Sequence, residues 1–235
     1  MTAAGRAEGA GVRSAAPGRR YAERPVPRGA RAIGWFLAHA LWDARVVGAE
    51  RVPASGPVLF AANHTSVVDG PLLAGVTPRP VHILVKEEMF AGPFAGILRW
   101  SGQIPVDRSG GRAALVTALG VLQRGDAVGV FPEGNRGRGD AASARAGVAW
   151  LAVNGHAPVV PVAILGTRRT GESVGHVPGP RRRLHVEIGE PLDVQPAAGQ
   201  SRRDAIASGT EAVRVALQSL VAAAAERTGT SLPSD

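Results

Sequence analysis

The stretch Val58-Leu59-Phe60-Ala61-Ala62-Asn63-His64-Thr65-Ser66-Val67-Val68-Asp69 changes character halfway along. Its first five residues form a continuous apolar run, the signature of a buried strand. Asn63 and His64 end that run. Thr65 and Ser66 then supply small hydroxyls of the kind that cap a helix, here one that would carry Asp69. A histidine at a strand end can be held in one tautomer by an acid one helical turn further on, which is how a general base is built. A solvated turn with an unrelated aspartate would show the same letters, so the rest of the chain has to decide between them.

Outward from this stretch the pattern alternates. Apolar, β-branched runs lie at 57–62, 81–85, 103–106, 127–131, 159–165 and 184–188. Helical periods lie between them, at about 67–75, 93–100, 111–124 and 144–154, with a long last helix at about 202–227. This order predicts an α/β domain: a mixed, largely parallel sheet flanked by helices. The domain is placed at 50–228, with a flexible tail at 229–235. Ahead of it lie a flexible basic arm, 1–29, and an N-terminal helix, 30–48. Ile33, Trp35, Phe36, Leu37, Ala40, Leu41 and Trp42 fall on one period of that helix, flanked by Arg28, Arg31 and Arg45. It reads either as a helix packed on the core or as an interfacial helix with aromatic anchors and a basic rim.

Composition narrows the function. With no cysteine, disulfides, thiolate metal sites and a cysteine nucleophile are excluded. The net charge of +8 attracts anions. The basic residues are almost all arginine, Lys86 being the sole lysine, as GC-rich coding would produce. Aromatic residues are too few, at 4%, and too separate from the arginines for a base-stacking platform, so no nucleic acid is expected as partner. No apolar run reaches the roughly 18 residues that a spanning helix needs. Arg19-Arg20 invites a twin-arginine reading, which the charges and prolines that follow oppose.

Two further segments follow predicted strands, and a third lies within one. Gly102-Gln103-Ile104-Pro105-Val106-Asp107-Arg108 ends in an acid-base pair, and Lys86 ends the run before it. Phe131-Pro132-Glu133-Gly134-Asn135-Arg136-Gly137-Arg138 combines Pro, Gly and Asn, which force a tight turn, with an arginine fork suited to phosphate. Val160, Pro161 and Val162 lie in an apolar strand whose proline suggests an edge or a bulge, lining an acyl-chain slot or simply core.

Together, in this order, the four segments resemble the motifs of the glycerophospholipid acyltransferase family, and most of all its bacterial 1-acylglycerol-3-phosphate acyltransferase group. Asn-His-x4-Asp is complete as Asn63, His64 and Asp69; the second block is met by Gly102 to Arg108, and the fourth by Val160-Pro161-Val162. The third departs from Phe-Pro-Glu-Gly-Thr-Arg-Ser at two places, with Asn135 for Thr and Gly137 for Ser. Those departures bear on acceptor choice, because Glu133, Gly134 and Arg136 are intact.

The resemblance implies transfer of a fatty acyl group from a thioester, carried by acyl-CoA or acyl-carrier protein, to a hydroxyl of a lysophospholipid. His64 would be the base and Asp69 its orienting acid. Arg136 would hold the acceptor phosphate, helped by Lys86 and Arg108. Glu133, Gly134 and Asn63 would position substrate, Glu133 by orienting Arg136 or an acceptor hydroxyl, with loop amides around Gly134 or a strand-end amide as oxyanion donors. No cofactor and no metal are implied beyond the thioester co-substrate. The lipid acceptor implies a peripheral or monotopic protein on the cytoplasmic face of the cell membrane, attached to an anionic surface by the arm, the 30–48 helix and Arg181-Arg182-Arg183. Other lyso-lipid acceptors fit the same chemistry. A hydrolase with Ser66 as nucleophile lacks a Gly-x-Ser-x-Gly elbow. A catalytically dead binding module would not need His64 and Asp69.

Overall fold

A computed structural model describes residues 22–107 and 111–235. The apolar runs become seven strands in one sheet: β1 (Asp43–Val47), β2 (Val58–Ala62), β3 (Val81–Lys86), β4 (Ile104–Val106), β5 (Ala127–Val130), β6 (Val159–Leu165) and β7 (Arg183–Ile188). Their order across the sheet is β1-β7-β6-β2-β5-β3-β4. The five strands from β6 to β4 are parallel. β7 runs antiparallel to β6, and β1 runs parallel to β7, so the sheet is mixed as expected.

The helices among the described residues are α1 (Arg28–Phe36), α2 (Asp69–Val76), α3 (Ala95–Trp100), α4 (Arg112–Gln123), α5 (Gly147–Gly155) and α6 (Arg202–Thr228). Alternation within β2 shows how they layer. Val58, Phe60 and Ala62 join a cluster with Ala38, Leu72 and Leu73 on one face. Leu59 and Ala61 join Ala118, Leu122, Leu151 and Ala152 on the other. Every residue of β2 is buried, as a central parallel strand covered on both faces should be. α6 closes the second face over Ala163 and Leu165 through Leu217 and Val221. Its start is capped by Ser201, whose Oγ accepts from the Asp204 N–H at 3.2 Å.

Three expectations are corrected here. The helix expected over 30–48 ends at Leu41 in a π-helical turn, and 43–47 is a strand, so the sheet begins before residue 50. Trp42 lies just past the helix, buried, with its indole N–H on Pro178 O at 3.0 Å. Pro161 marks neither an edge nor an open slot: β6 is flanked on both sides, and Val160, Pro161 and Val162 are all buried core. Pro161 O accepts from the Gly189 N–H at 2.8 Å just past the end of β7, so the proline nitrogen faces the same side, where the ladder stops and the missing N–H costs least. The segment expected as a flexible tail is bonded back to the loop after β6, Ser234 to Thr170 and Asp235 to Arg168 and Gly171.

α1 meets α2 through two glycines. A Cβ on Gly75 would stand 2.1 Å from Gly34 O, so the backbones touch and only glycine fits.

Candidate active site

The carboxyl ends of β6, β2, β5 and β3 lie side by side, and the motif residues follow them. At the end of β2, His64 Nδ1 lies 2.9 Å from Asp69 Oδ2. That same oxygen accepts from the Thr65 N–H at 2.7 Å and the Ser66 N–H at 2.8 Å. The turn is therefore wound around one carboxylate. The cap inferred for Thr65-Ser66 is reversed: Val68 precedes the helix without a side-chain cap, and the acid in the first turn receives the amides. Asp69 is fully buried, and its Oδ1 has no partner among the described residues.

The imidazole is fixed from a second direction. Phe131, at the end of β5, stacks on it with ring centroids 4.0 Å apart and planes 17° apart. With Nδ1 on Asp69, the opposite nitrogen Nε2 points away from that contact, and the His64 side chain keeps 14% of its surface exposed.

Asn63 serves the backbone rather than a substrate. Its Oδ1 accepts from the Ile164 N–H at 2.7 Å, and its Nδ2 donates to Ile164 O and Gly139 O at 3.0 and 3.1 Å. One buried amide thus ties β2 to β6 and to the loop after β5. Gly139, at φ +70°, is required here because a Cβ would stand 2.3 Å from Thr65 Cγ2. Thr65 in turn shares a 2.9 Å hydrogen bond with Thr167.

Glu133 does not position Arg136 by a bond. Its Oε1 accepts from the His64 N–H at 3.3 Å, and the backbone of Ala141 also bonds it. Burial pushes its carboxyl up to about 7, opposed by those amides and reinforced by the nearby Asp140 and Asp69. The Gly134 N–H is taken by Phe131 O and the Gly137 N–H by His64 O, both at 3.0 Å, so neither serves as an oxyanion donor in this arrangement. Gly134 itself, at φ +74°, leaves room for Arg145.

Lys86, from the end of β3, reaches the same loop, with Nζ donating to Asn135 Oδ1 at 3.0 Å. Arg136 opens on a neighbouring depression of about 570 Å³, and its buried Nε has no partner among the described residues. Arg108 lies outside the described residues, as do Arg19 and Arg20. The charges expected at a membrane from Arg181-Arg182-Arg183 are largely consumed internally. Arg182 forks onto Glu172 at 2.7 and 3.0 Å, holding that carboxyl down to about 2, and Arg183 pairs with Asp43 at 2.9 Å.

Sequence reasoning missed Phe131 as the ring beneath the histidine, Thr167 and Arg168. The position of Phe131 opposite His64 on the neighbouring strand end was a usable signal. Thr167 and Arg168 follow the fourth motif by a few residues, but their partners are distant in the chain.

Comparison with known proteins agrees with this geometry. A family model described as Acyltransferase matches residues 43–165, from the start of β1 to the end of β6. The chain is 31% identical over 179 residues to a 1-acyl-sn-glycerol-3-phosphate acyltransferase of Bacillus subtilis, covering 75% of this chain and 87% of that one. It is 30% identical over 216 residues to a lyso-ornithine lipid O-acyltransferase of Pseudomonas aeruginosa, covering 82% and 80%. The crystal structure of the 1-acyl-sn-glycerophosphate acyltransferase PlsC from Thermotoga maritima superposes with a TM-score of 0.62 at 26% identity, over 82% of this chain and 78% of that one. With its motif residues gathered at one end of the sheet and more than half its length matched, the chain belongs to the acyltransferase family.

Proposed function

We propose that the protein transfers a fatty acyl group from acyl-CoA or acyl-carrier protein to the free hydroxyl of 1-acylglycerol-3-phosphate, giving phosphatidate. The observation that carries this reading is the His64 ring, tied by Nδ1 to Asp69 and stacked on Phe131. An alcohol is a poor nucleophile until a base takes its proton. His64 Nε2 accepts that proton as the hydroxyl oxygen attacks the thioester carbonyl, while Asp69 stabilises the imidazolium. The tetrahedral adduct then expels the thiolate, which takes the proton back from the imidazolium. Such a thiolate, with a thiol pKa near about 8.5, needs little assistance, so two side chains suffice.

Arg136 holds the acceptor phosphate, and Lys86 supports the loop through Asn135. The relatives include one named for a lyso-ornithine lipid, so a different lyso-lipid acceptor is the second reading, and the Asn135 and Gly137 departures favour testing it. Purified protein given acyl-CoA and a panel of lyso-acceptors, read by mass, separates the two. Phosphatidate as the dominant product supports the first, and its absence removes it.

A lipid acceptor requires access to a bilayer, and no helix among the described residues is long and apolar enough to cross one. Peripheral attachment is supported by an exposed apolar face. Ile33, Trp35 and Phe36 on α1 are exposed, as are Phe94, Ile97 and Trp100 beside and within α3, where Trp100 approaches Gly29. Arg28 and Arg31 on α1 and Arg99 on α3 are exposed as well. Aromatic anchors together with exposed arginines suit an anionic lipid surface. Trp35→Ser with Phe36→Ser should weaken sedimentation with anionic vesicles about tenfold or more; unchanged binding would remove this face from the proposal.

A further inference from the structure

The depression beside Arg136 is lined also by Arg138 and by Arg168, an arginine that no motif announces. Arg168 follows β6, and its side chain is 4% exposed. Its guanidinium is committed in two directions. One bond from each terminal nitrogen goes to the backbone: Nη1 to Glu172 O at 3.1 Å and Nη2 to Gly137 O at 3.2 Å. A second bond from each goes to Asp235: Nη1 to Oδ1 at 3.2 Å and Nη2 to the backbone oxygen at 2.6 Å. The other carboxylate oxygen, Oδ2, accepts from the Gly171 N–H at 3.0 Å.

The two carbonyl bonds aim the fork, and one further N–H on each terminal nitrogen meets an acidic or carbonyl oxygen borne by a single residue, while the buried Nε has no partner among the described residues. A guanidinium held this way matches two oxygens of one phosphate. Arg136, with its unpartnered buried Nε, lines the same depression. The other acid there, Glu172, is already spent on Arg182. Gly137 connects the seat to the base, since its carbonyl accepts from Arg168 and its N–H donates to His64 O.

We propose that Arg168 and Arg136 together form the seat for a phosphate monoester, and that Asp235 occupies Arg168 until that phosphate displaces it. Arg168 is then a specificity residue for the reaction, and Asp235 is a competitor built into the fold. The phosphate has two chemical sources in acyl transfer: the headgroup of the acceptor, as the role given to Arg136 above requires, and the 3′-phosphate of coenzyme A, which would reassign Arg136 along with Arg168. The inference rests on the acyltransferase reading above but is tested by binding alone.

The experiment titrates glycerol 3-phosphate and adenosine 3′,5′-bisphosphate separately into the full chain and into Asp235→Asn, by calorimetry. Asparagine keeps the shape and loses the charge. The expected result is a three- to tenfold tighter Kd for one of the two fragments, and that fragment identifies the source. The gain should vanish when Arg168→Lys, which keeps the charge and loses the fork, is added to Asp235→Asn. Equal affinities in wild type and Asp235→Asn for both fragments would overturn the proposal. So would a gain that survives Arg168→Lys in folded protein. If the double variant does not fold, the Asp235→Asn titration decides. Tightened glycerol 3-phosphate in a protein that acylates some other lyso-lipid would break the acceptor assignment and leave the seat standing.

Discussion

The turn at 63–69 and the depression between Arg136 and Arg168 are close together in space and opposite in construction. The turn is closed. One buried carboxylate gathers the imidazole and two amides, and an asparagine bolts the strand end to its neighbour. The depression is open, with an arginine Nε that has no partner among the described residues and a fork whose partner sits on a distant segment. Fixed geometry suits proton transfer, since about 1 Å of misplacement can cost about a hundredfold in rate. Exchangeable partners suit binding, where a ligand must come and go.

The contrast can be broken most severely at the base. His64→Ala should leave a folded protein whose acyl transfer falls about a thousandfold, about 4 kcal/mol of transition-state stabilisation; turnover near wild type would end the assignment. Gly139→Ala comes next, because it attacks the closed side without touching a reacting group. The left-handed backbone and the contact with Thr65 should together cost about 2–4 kcal/mol of stability, visible in denaturant midpoints, with activity falling as Thr65 shifts. On the open side, Arg136→Ala should raise the acceptor KM about tenfold, about 1.4 kcal/mol, and leave the acyl-CoA KM nearly alone; equal changes in both would contradict its phosphate role.

The smallest effect probes the boundary between the two regions. Glu133 bonds the His64 amide from the loop side, and burial raises its carboxyl to about 7 against an ordinary 4.5. The folded state therefore keeps a proton that the unfolded chain releases above pH 4.5, so wild-type stability falls as pH rises through about 7. Glu133→Gln cannot ionise and still accepts from the amide. Its Tm should match wild type near pH 4.5 and exceed it above pH 7 by about 2–4 °C, the size expected once partial exposure of the carboxyl is discounted. Parallel curves across that range would show that Glu133 does not titrate there.

The two regions also differ in how far they could be read without coordinates. β2, β6 and the helices α4 and α6 fell within a residue or two of their expected bounds because their apolar period is long and uninterrupted. The His64/Asp69 contact was legible because it is local, five positions apart. β1 was missed because Asp43-Ala44-Arg45-Val46-Val47 continues a helical period from Trp35 and becomes a strand only by pairing with β7, which is 140 residues away at Asp43 and Arg183. The double use of Arg168 was hidden for the same reason, since its partner lies 67 positions on. Asn63 was recognised as important for a different role, because nothing local reveals that Ile164 supplies both ends of its amide's backbone bracket.

The glycine contact between α1 and α2 has a mechanical meaning. The helix that begins with Asp69 ends one residue beyond Gly75, and Gly75 is pressed against Gly34 in the helix that bears Trp35 and Phe36. From Asp69 to Gly75 is about 9 Å of rigid helix. On the proposed peripheral attachment through α1, this strut would set the standoff between the lipid surface and Asp69. Any side chain added at Gly34 or Gly75 would pry the strut from its footing and change the height at which His64 meets a hydroxyl.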